Sequence, residues 1–210
     1  MATHNYVSLF GIVRTLPQIK TGAYGRTAMV AVTVVRGDRR EDTMLLRTSL
    51  KYSSPILLTQ DEGLIDEIST WKENDVVYTK GFLATKEVEK KAVCPHCGAM
   101  NLRREACQAE KVRSGGNMIY YSPIFAERVR SFDEQGEAHS CVLNRAEISD
   151  IVFLLGNLTC EPIQWFVENR PYTRYQIAIN RKYCPKGLQE VAERTDYPWI
   201  YSFGQQAVDD

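Results

Sequence analysis

The chain has 210 residues, 44% of them hydrophobic, with eight prolines and 26 basic side chains balanced by 26 acidic ones. This is the composition of a folded globular protein with one large or two small domains, and its zero net charge excludes a uniformly basic surface. A local one is still allowed, because acid and base are segregated: residues 1–58 carry eight Lys/Arg against three Asp/Glu, 59–75 hold six acids against Lys72, and 132–150 hold five acids against Arg145. The N-terminal "MATHNYVSLFGIV" has no basic leader followed by a long apolar run, which predicts no signal peptide. No stretch approaches the roughly 18 apolar residues of a membrane span. The chain is therefore expected to be cytoplasmic, with no membrane partner. In that reducing compartment the six cysteines are expected as thiols or metal ligands rather than disulfides.

Taken in chain order, the sequence repeats itself at long range. "VSLFGIVRTLPQI" from residue 7 resembles "VFLLGNLTCEPIQ" from residue 152, with Gly11 matching Gly156, Pro17 matching Pro162 and Arg36 matching Arg181, all at an offset of 145. A second alternating run follows in each copy, "MVAVTVVR" and "YQIAINR", and then a third, "DTMLLRTSLK" and "TDYPWIYSFG", the latter after a loop read as seven residues longer. The first copy continues. "DEGLIDEISTWKE" places Leu64, Ile65, Ile68 and Trp71 on one helical face. "DVVYTKGFLATKEV" predicts a fourth strand and "NMIYYSPIFAERVR" a fifth.

Five strands with a helix between the third and fourth is the layout of an OB-fold barrel, which commonly holds oligonucleotides on its strand 2–3 face. The fold class expected is all-β: tandem OB-fold barrels, the first with a zinc-knuckle insertion between strands 4 and 5, the second incomplete. The first domain spans 1–131 with its insertion around 92–115, an acidic linker spans 132–150, and the second domain spans 151–210. A three-stranded second sheet would leave a raw edge, so the chain is expected to be truncated after Asp210 or completed by another chain.

Within "TDYPWIYSFG" the period of two puts Tyr197, Trp199, Tyr201 and Phe203 on one face and Pro198, Ile200 and Ser202 on the other. Either the strand is buried on both faces, or the ring-bearing face meets something flat that is not protein. Ser202 and Pro198 would make a poor buried row, which favours the second reading.

These residues resemble the bacterial single-stranded DNA-binding protein family. Its "Gly-x-Leu-Thr-x-x-Pro" is matched by "GNLTCEP" (156–162), its alternating strand ending in Asn-Arg by "YQIAINRKY" (175–183), and its "Thr-Asp-aromatic…Phe-Gly-x-x-Ala" by "TDYPWIYSFGQQA" (195–207). In the first copy the best match is "WKENDVVYTKGFLATKE" (71–87). The resemblance implies single-stranded DNA as partner. Bases would stack on Tyr197 and Phe203, whose positions match family aromatics, with Trp199 and Tyr201 sharing their face; RNA is not excluded, because stacking barely distinguishes the two. Cys160 stands where the family usually has a basic residue, which puts one phosphate contact in doubt. The resemblance also implies a homo-oligomer and partners among replication or recombination proteins.

Phosphates would be gripped by Arg174, Arg181 and Lys182 in the second copy. In the first copy, alignment of Thr43 with Thr195 puts Leu45, Arg47, Ser49 and Lys51 outward, adding Arg36, Arg47 and Lys51 with Arg39 and Arg40. With only three histidines and no Gly-rich phosphate loop, the protein reads as non-enzymatic. The alternative is a protein-interaction module of a replication or primase complex, in which the rings dock a partner.

"VCPHCG" (93–98) has the shape of a zinc knuckle, a close pair of thiolates that bites one ion. A structural zinc needs four ligands. Cys94 and Cys97 are the pair, Cys107 is the natural third, and the fourth is Cys141, with His139 and His96 as alternatives. An oxidisable dithiol is the competing reading. Cys160 and Cys184 lack close partners and are expected as small buried or neutral residues.

Overall fold

The computed structural model describes residues 4–23, 25–35, 52–88, 116–183, 192–204 and 206–209. It divides into two compact units, Met1–Ala84 with Tyr120–Asp210, and Thr85–Ile119. The described residues of the smaller unit are strand ends, and the CxxC stretch lies outside the described residues. None of the described helices is long and apolar enough to cross a membrane. The fold is all-β.

In the first half, β1 (His4–Val13), β2 (Gln18–Gly22), β3 (Gly25–Val35), β4 (Tyr52–Ser53) and β5 (Ile56–Thr59) are followed by helix α1 (Glu62–Ser69), β6 (Val76–Val88) and β7 (Gly116–Arg130). The sheet runs β3–β5–β7–β6–β1 and returns to β3 through Ile12–Thr33 and Val13–Val32, so it closes on itself. β5 and β7 are parallel and the other registered pairs antiparallel. Alternate strand residues fill the interior, among them Val7, Leu9, Val30, Val32 and Leu57, and Trp71, just after the helix that follows β5, joins them. Helix α1 starts at Asp61, whose carboxylate accepts from the Leu64 amide, and it turns Ile65 and Ile68 into that core.

The second half contains β8 (Asp150–Leu155), β9 (Asn157–Leu158), β10 (Ile163–Val167), β11 (Arg170–Tyr183), β12 (Ala192–Asp196), β13 (Trp199–Phe203) and α4 (Gln206–Asp209). β11 is the hub, pairing with β9, β10, β12 and β13. The sequence repeat is a repeat of hydrogen-bond register. Ile12–Thr33 and Val13–Val32 recur as Asn157–Ala178 and Leu158–Ile177, and Gln18–Met29 through Gly22–Gly25 recur as Ile163–Arg174 through Val167–Arg170. The matched glycines have one cause: a Cβ on Gly11 would run into the Thr33 carbonyl, and one on Gly156 into the Ala178 carbonyl.

The third strands depart from the expected alignment. Tyr52 faces Val35 as Thr195 faces Asn180, so these strands are related by an offset of 143, and the connection in the second copy is two residues shorter rather than seven longer. The described part of the first copy's third strand is Tyr52–Thr59, and its register puts Tyr52 rather than Thr43 at the position of Thr195. Alternation specifies a face but not a register, and "DTMLLRTSLK" and "SSPILLT" both alternate well enough to mislead.

The acidic stretch 132–150 carries two helices, α2 (Gln135–Leu143) and α3 (Ala146–Ser149). Asp133, Glu134, Glu137 and Glu147 are exposed, while Ala138 and Val142, one helical turn apart, are buried against Phe10, Ile12, Val35 and Val76. Those four alternate with the interior residues, so α2 lies on the outer wall of the first barrel. The Ser149 hydroxyl pins the segment there, donating to the Phe10 carbonyl (2.6 Å) and accepting from the Val35 amide (2.9 Å). From it the chain enters β8, which pairs with β1 from His4–Leu155 to Leu9–Asp150. The second repeat thus begins as an added edge strand of the first sheet.

Candidate functional site

The row of rings spans a break in the strand. Asp196 faces Ile179 and Trp199 faces Gln176, so β12 and β13 keep one continuous register along β11. The interruption at Tyr197–Pro198 follows from Pro198 having no amide proton to give; its carbonyl still accepts from the Ile177 amide (3.3 Å). The alternation of side chains therefore runs through. Tyr197, Tyr201 and Phe203 are 45%, 51% and 50% exposed, and Trp199 is half-buried beside them. Pro198 and Ser202 are buried on the opposite face.

On β11 the residues directly opposite are Tyr172, Arg174 and Gln176, facing Phe203, Tyr201 and Trp199. Arg174 reaches diagonally so that its guanidinium lies over the Trp199 ring, 5.2 Å from the centroid. Lys182 is exposed on the same side of β11, opposite Glu193. Two rings that the sequence reading did not pick out complete the surface. Trp165 on β10 stacks on Tyr172 (5.8 Å between centroids, 17° between planes), and Tyr172 meets Phe203 edge-on at 5.1 Å. Their signal was a hairpin. Glu168 and Asn169 both have positive φ, a two-residue turn that aligns Val167 with Arg170 and hence Trp165 with Tyr172.

Arg181 does not join this surface. It stands an odd number of residues from Arg174 and points to the other side, where its side chain is 9% exposed and bonded at 2.8 Å to Asp196, itself fully buried. Its guanidinium also lies over Phe82 of β6, 5.0 Å from the centroid. The expected phosphate contact is corrected to a buried tie that holds β12 just before the ring row. Arg194 approaches the same carboxylate at 3.9 Å.

In the first repeat Arg36, Arg47 and Lys51, with Arg39 and Arg40, lie outside the described residues. Arg26 is committed to Glu62 (3.1 Å) and Asp66 (2.9 Å). Of the proposed zinc ligands, Cys94, Cys97 and Cys107 lie outside the described residues. Cys141 sits half-buried on α2, its sulfur accepting from the Arg145 guanidinium at 3.5 Å. His139 gives its Nδ1 to the Gln135 carbonyl and its ring to Tyr52. Among the described residues no three His, Cys, Asp or Glu side chains come together as a metal site.

No protein-family model matches the sequence, and a search of curated proteins finds no match. Solved structures do match. The crystal structure of the single-stranded DNA-binding protein from Thermus aquaticus aligns with 99% of this chain and 78% of its own, with a TM-score of 0.58 and 14% identity. A deletion variant of that protein gives the same score and identity over 98% of this chain and 78% of its own. The Plasmodium falciparum SSB, solved in complex with single-stranded DNA, aligns with 74% of this chain and 97% of its own at a TM-score of 0.38 and 15% identity. At 14% identity the likeness to the Thermus aquaticus protein is one of fold alone, an all-β architecture of the OB type.

Proposed function

We propose that the chain is a tandem pair of OB units that binds single-stranded DNA with little regard to sequence, without catalysing a reaction, in DNA replication, recombination or transfer. One observation carries this reading: Tyr197, Trp199, Tyr201 and Phe203 share an accessible sheet face in unbroken register, with Arg174 in the adjacent column. Rings spaced about 7 Å apart along a strand suit successive unstacked bases, and each base stacked contributes about 1–3 kcal/mol whatever its identity. Arg174 and Lys182 supply phosphate contacts, and the likeness of fold to a single-stranded DNA-binding protein supports the assignment. The test is titration with oligo-dT at low salt, followed by quenching of tryptophan fluorescence. No binding by the intact protein would reject the reading. Competition between matched DNA and RNA oligomers decides which nucleic acid is preferred.

A second reading, a protein-docking module within a replication or primase assembly, is favoured by the edge strand β8, where Ile151, Phe153 and Leu155 are 38%, 58% and 48% exposed. The same edge suits assembly with further copies of the chain. Salt separates the two. Affinity for DNA falls steeply with log salt, whereas apolar docking hardly changes.

We also propose a structural zinc held by Cys94, Cys97 and Cys107, with Cys141 as the fourth ligand or His139 or His96 in its place. When bound, the ion would supply folding energy to the insertion. Metal analysis of the purified protein and of its Cys94→Ser and Cys141→Ser variants tests both the ion and the fourth ligand.

A further inference from the structure

The two repeats match register for register, yet they present different chemistry on the matched face. With the third strands at an offset of 143, Tyr197, Trp199, Tyr201 and Phe203 correspond to Ser54, Ile56, Leu58 and Gln60. At an offset of 145, Trp165 and Tyr172 correspond to Lys20 and Thr27, which face each other across β2 and β3 as the two rings do across β10 and β11. At each of these positions where the second repeat has a ring, the first has none.

The first repeat's face is also partly occupied. Ile12 and Val35, buried beneath α2, correspond to Asn157 and Asn180, which are exposed. The Tyr52 ring, at the position of Thr195, is held edge-on against His139 of α2 at 5.5 Å. Helix α2 therefore rests on the end of the sheet face that, in the second repeat, is open next to Tyr197.

We propose that bases are stacked by the second repeat alone, along a path that runs from Tyr197 to Phe203 and then turns across the sheet onto Tyr172 and Trp165. The turn follows from the ring contacts. Phe203, Tyr172 and Trp165 sit side by side on three neighbouring strands, at right angles to the row on β13. The hairpin pair is the terminal subsite, where one further base lies against the indole. With about one base per accessible ring, the stacked footprint is on the order of four to six nucleotides, at the short end of what one OB fold takes. The first repeat acts as a scaffold, with α2 closing one end of the surface that would otherwise duplicate the site. This inference rests on the DNA-binding reading and assigns where within the molecule it occurs.

The tryptophans provide the test. Trp71 is buried in the first barrel with 1% exposure, so Trp165 and Trp199 are the two indoles that a ligand can reach. In the intact Trp199→Phe protein, binding of labelled oligo-dT is followed by anisotropy while the remaining fluorescence is followed in parallel. Quenching that saturates with the anisotropy is expected. Trp165→Ala is expected to weaken binding by roughly 5- to 150-fold, Trp165→Phe to restore most of it, and Gln60→Ala to leave it within about twofold. Affinity should stop rising with oligomer length once the short footprint is filled. Binding with no quenching of Trp165, or a marked loss in Gln60→Ala, overturns the inference while DNA binding stands. Failure of the unmodified protein to bind at low salt overturns the DNA-binding reading itself.

Discussion

The Arg174 guanidinium lies over the indole of Trp199, 5.2 Å from the ring centroid and on the face opposite the buried Ser202. A cation held in this way can turn its N–H edges to an anion while one side of the ring is engaged, so under the proposed DNA-binding reading phosphate recognition and base stacking would be combined in one pair of side chains. Arg174→Ala should weaken DNA binding about equally for all sequences and reduce the slope of log affinity against log salt by about one. Trp199→Ala should cost about 1–3 kcal/mol and leave the slope nearly unchanged. Titrations at several salt concentrations separate the two effects.

Arg181 and Asp196 should respond differently. Removing one partner breaks a buried ion pair, which costs about 3–5 kcal/mol, and less for Arg181→Ala because Arg194 also approaches the Asp196 carboxylate. Asp196→Ala and Arg181→Ala are therefore expected to lower the denaturation midpoint strongly, and the double replacement Arg181→Met with Asp196→Leu to recover much of the loss. The salt dependence of binding by the double variant should match that of the parent. A reduced salt slope would return Arg181 to the phosphate-binding group.

The repeated glycines give a paired prediction. Gly11→Ala and Gly156→Ala each drive a methyl group into a carbonyl of the facing strand, at a cost of about 1–3 kcal/mol or more. Chemical denaturation should show both variants destabilised. A harmless Gly156→Ala would mean that the second repeat does not hold the register of the first.

Ser149 joins two strands through one hydroxyl. Ser149→Ala leaves the buried Val35 amide and the Phe10 carbonyl without this partner, a loss of about 1–3 kcal/mol. Hydrogen exchange at the Val35 amide should rise in step with the loss of stability.

The features legible in the sequence were those set by local rules. Gly11 and Gly156 marked the repeat because close strand approach tolerates no side chain there, and the strict period of two put four rings on one face even across Pro198. Arg181 was legible in principle, since its odd spacing from Arg174 places it on the opposite side of β11. The third-strand register of the first repeat was not legible, because two neighbouring runs carry similar apolar alternation. Nor was α2: Ala138 and Val142 are few and small among acids, and their burial depends on an outer barrel wall that local sequence does not reveal. Trp165 and Tyr172 became neighbours only through the turn at Glu168–Asn169.

The ladder between β8 and β1 has a mechanical consequence. Two domains joined by a loose tether separate when the tether is cut, and each can be produced alone. Here a cut near Asn144 would leave the halves zipped by six paired residues on each strand, and a fragment made without β8 would expose the flank of β1 to any passing strand. Tension applied to the ring-bearing half would therefore load the other barrel directly, and the pair would tumble in solution as one particle.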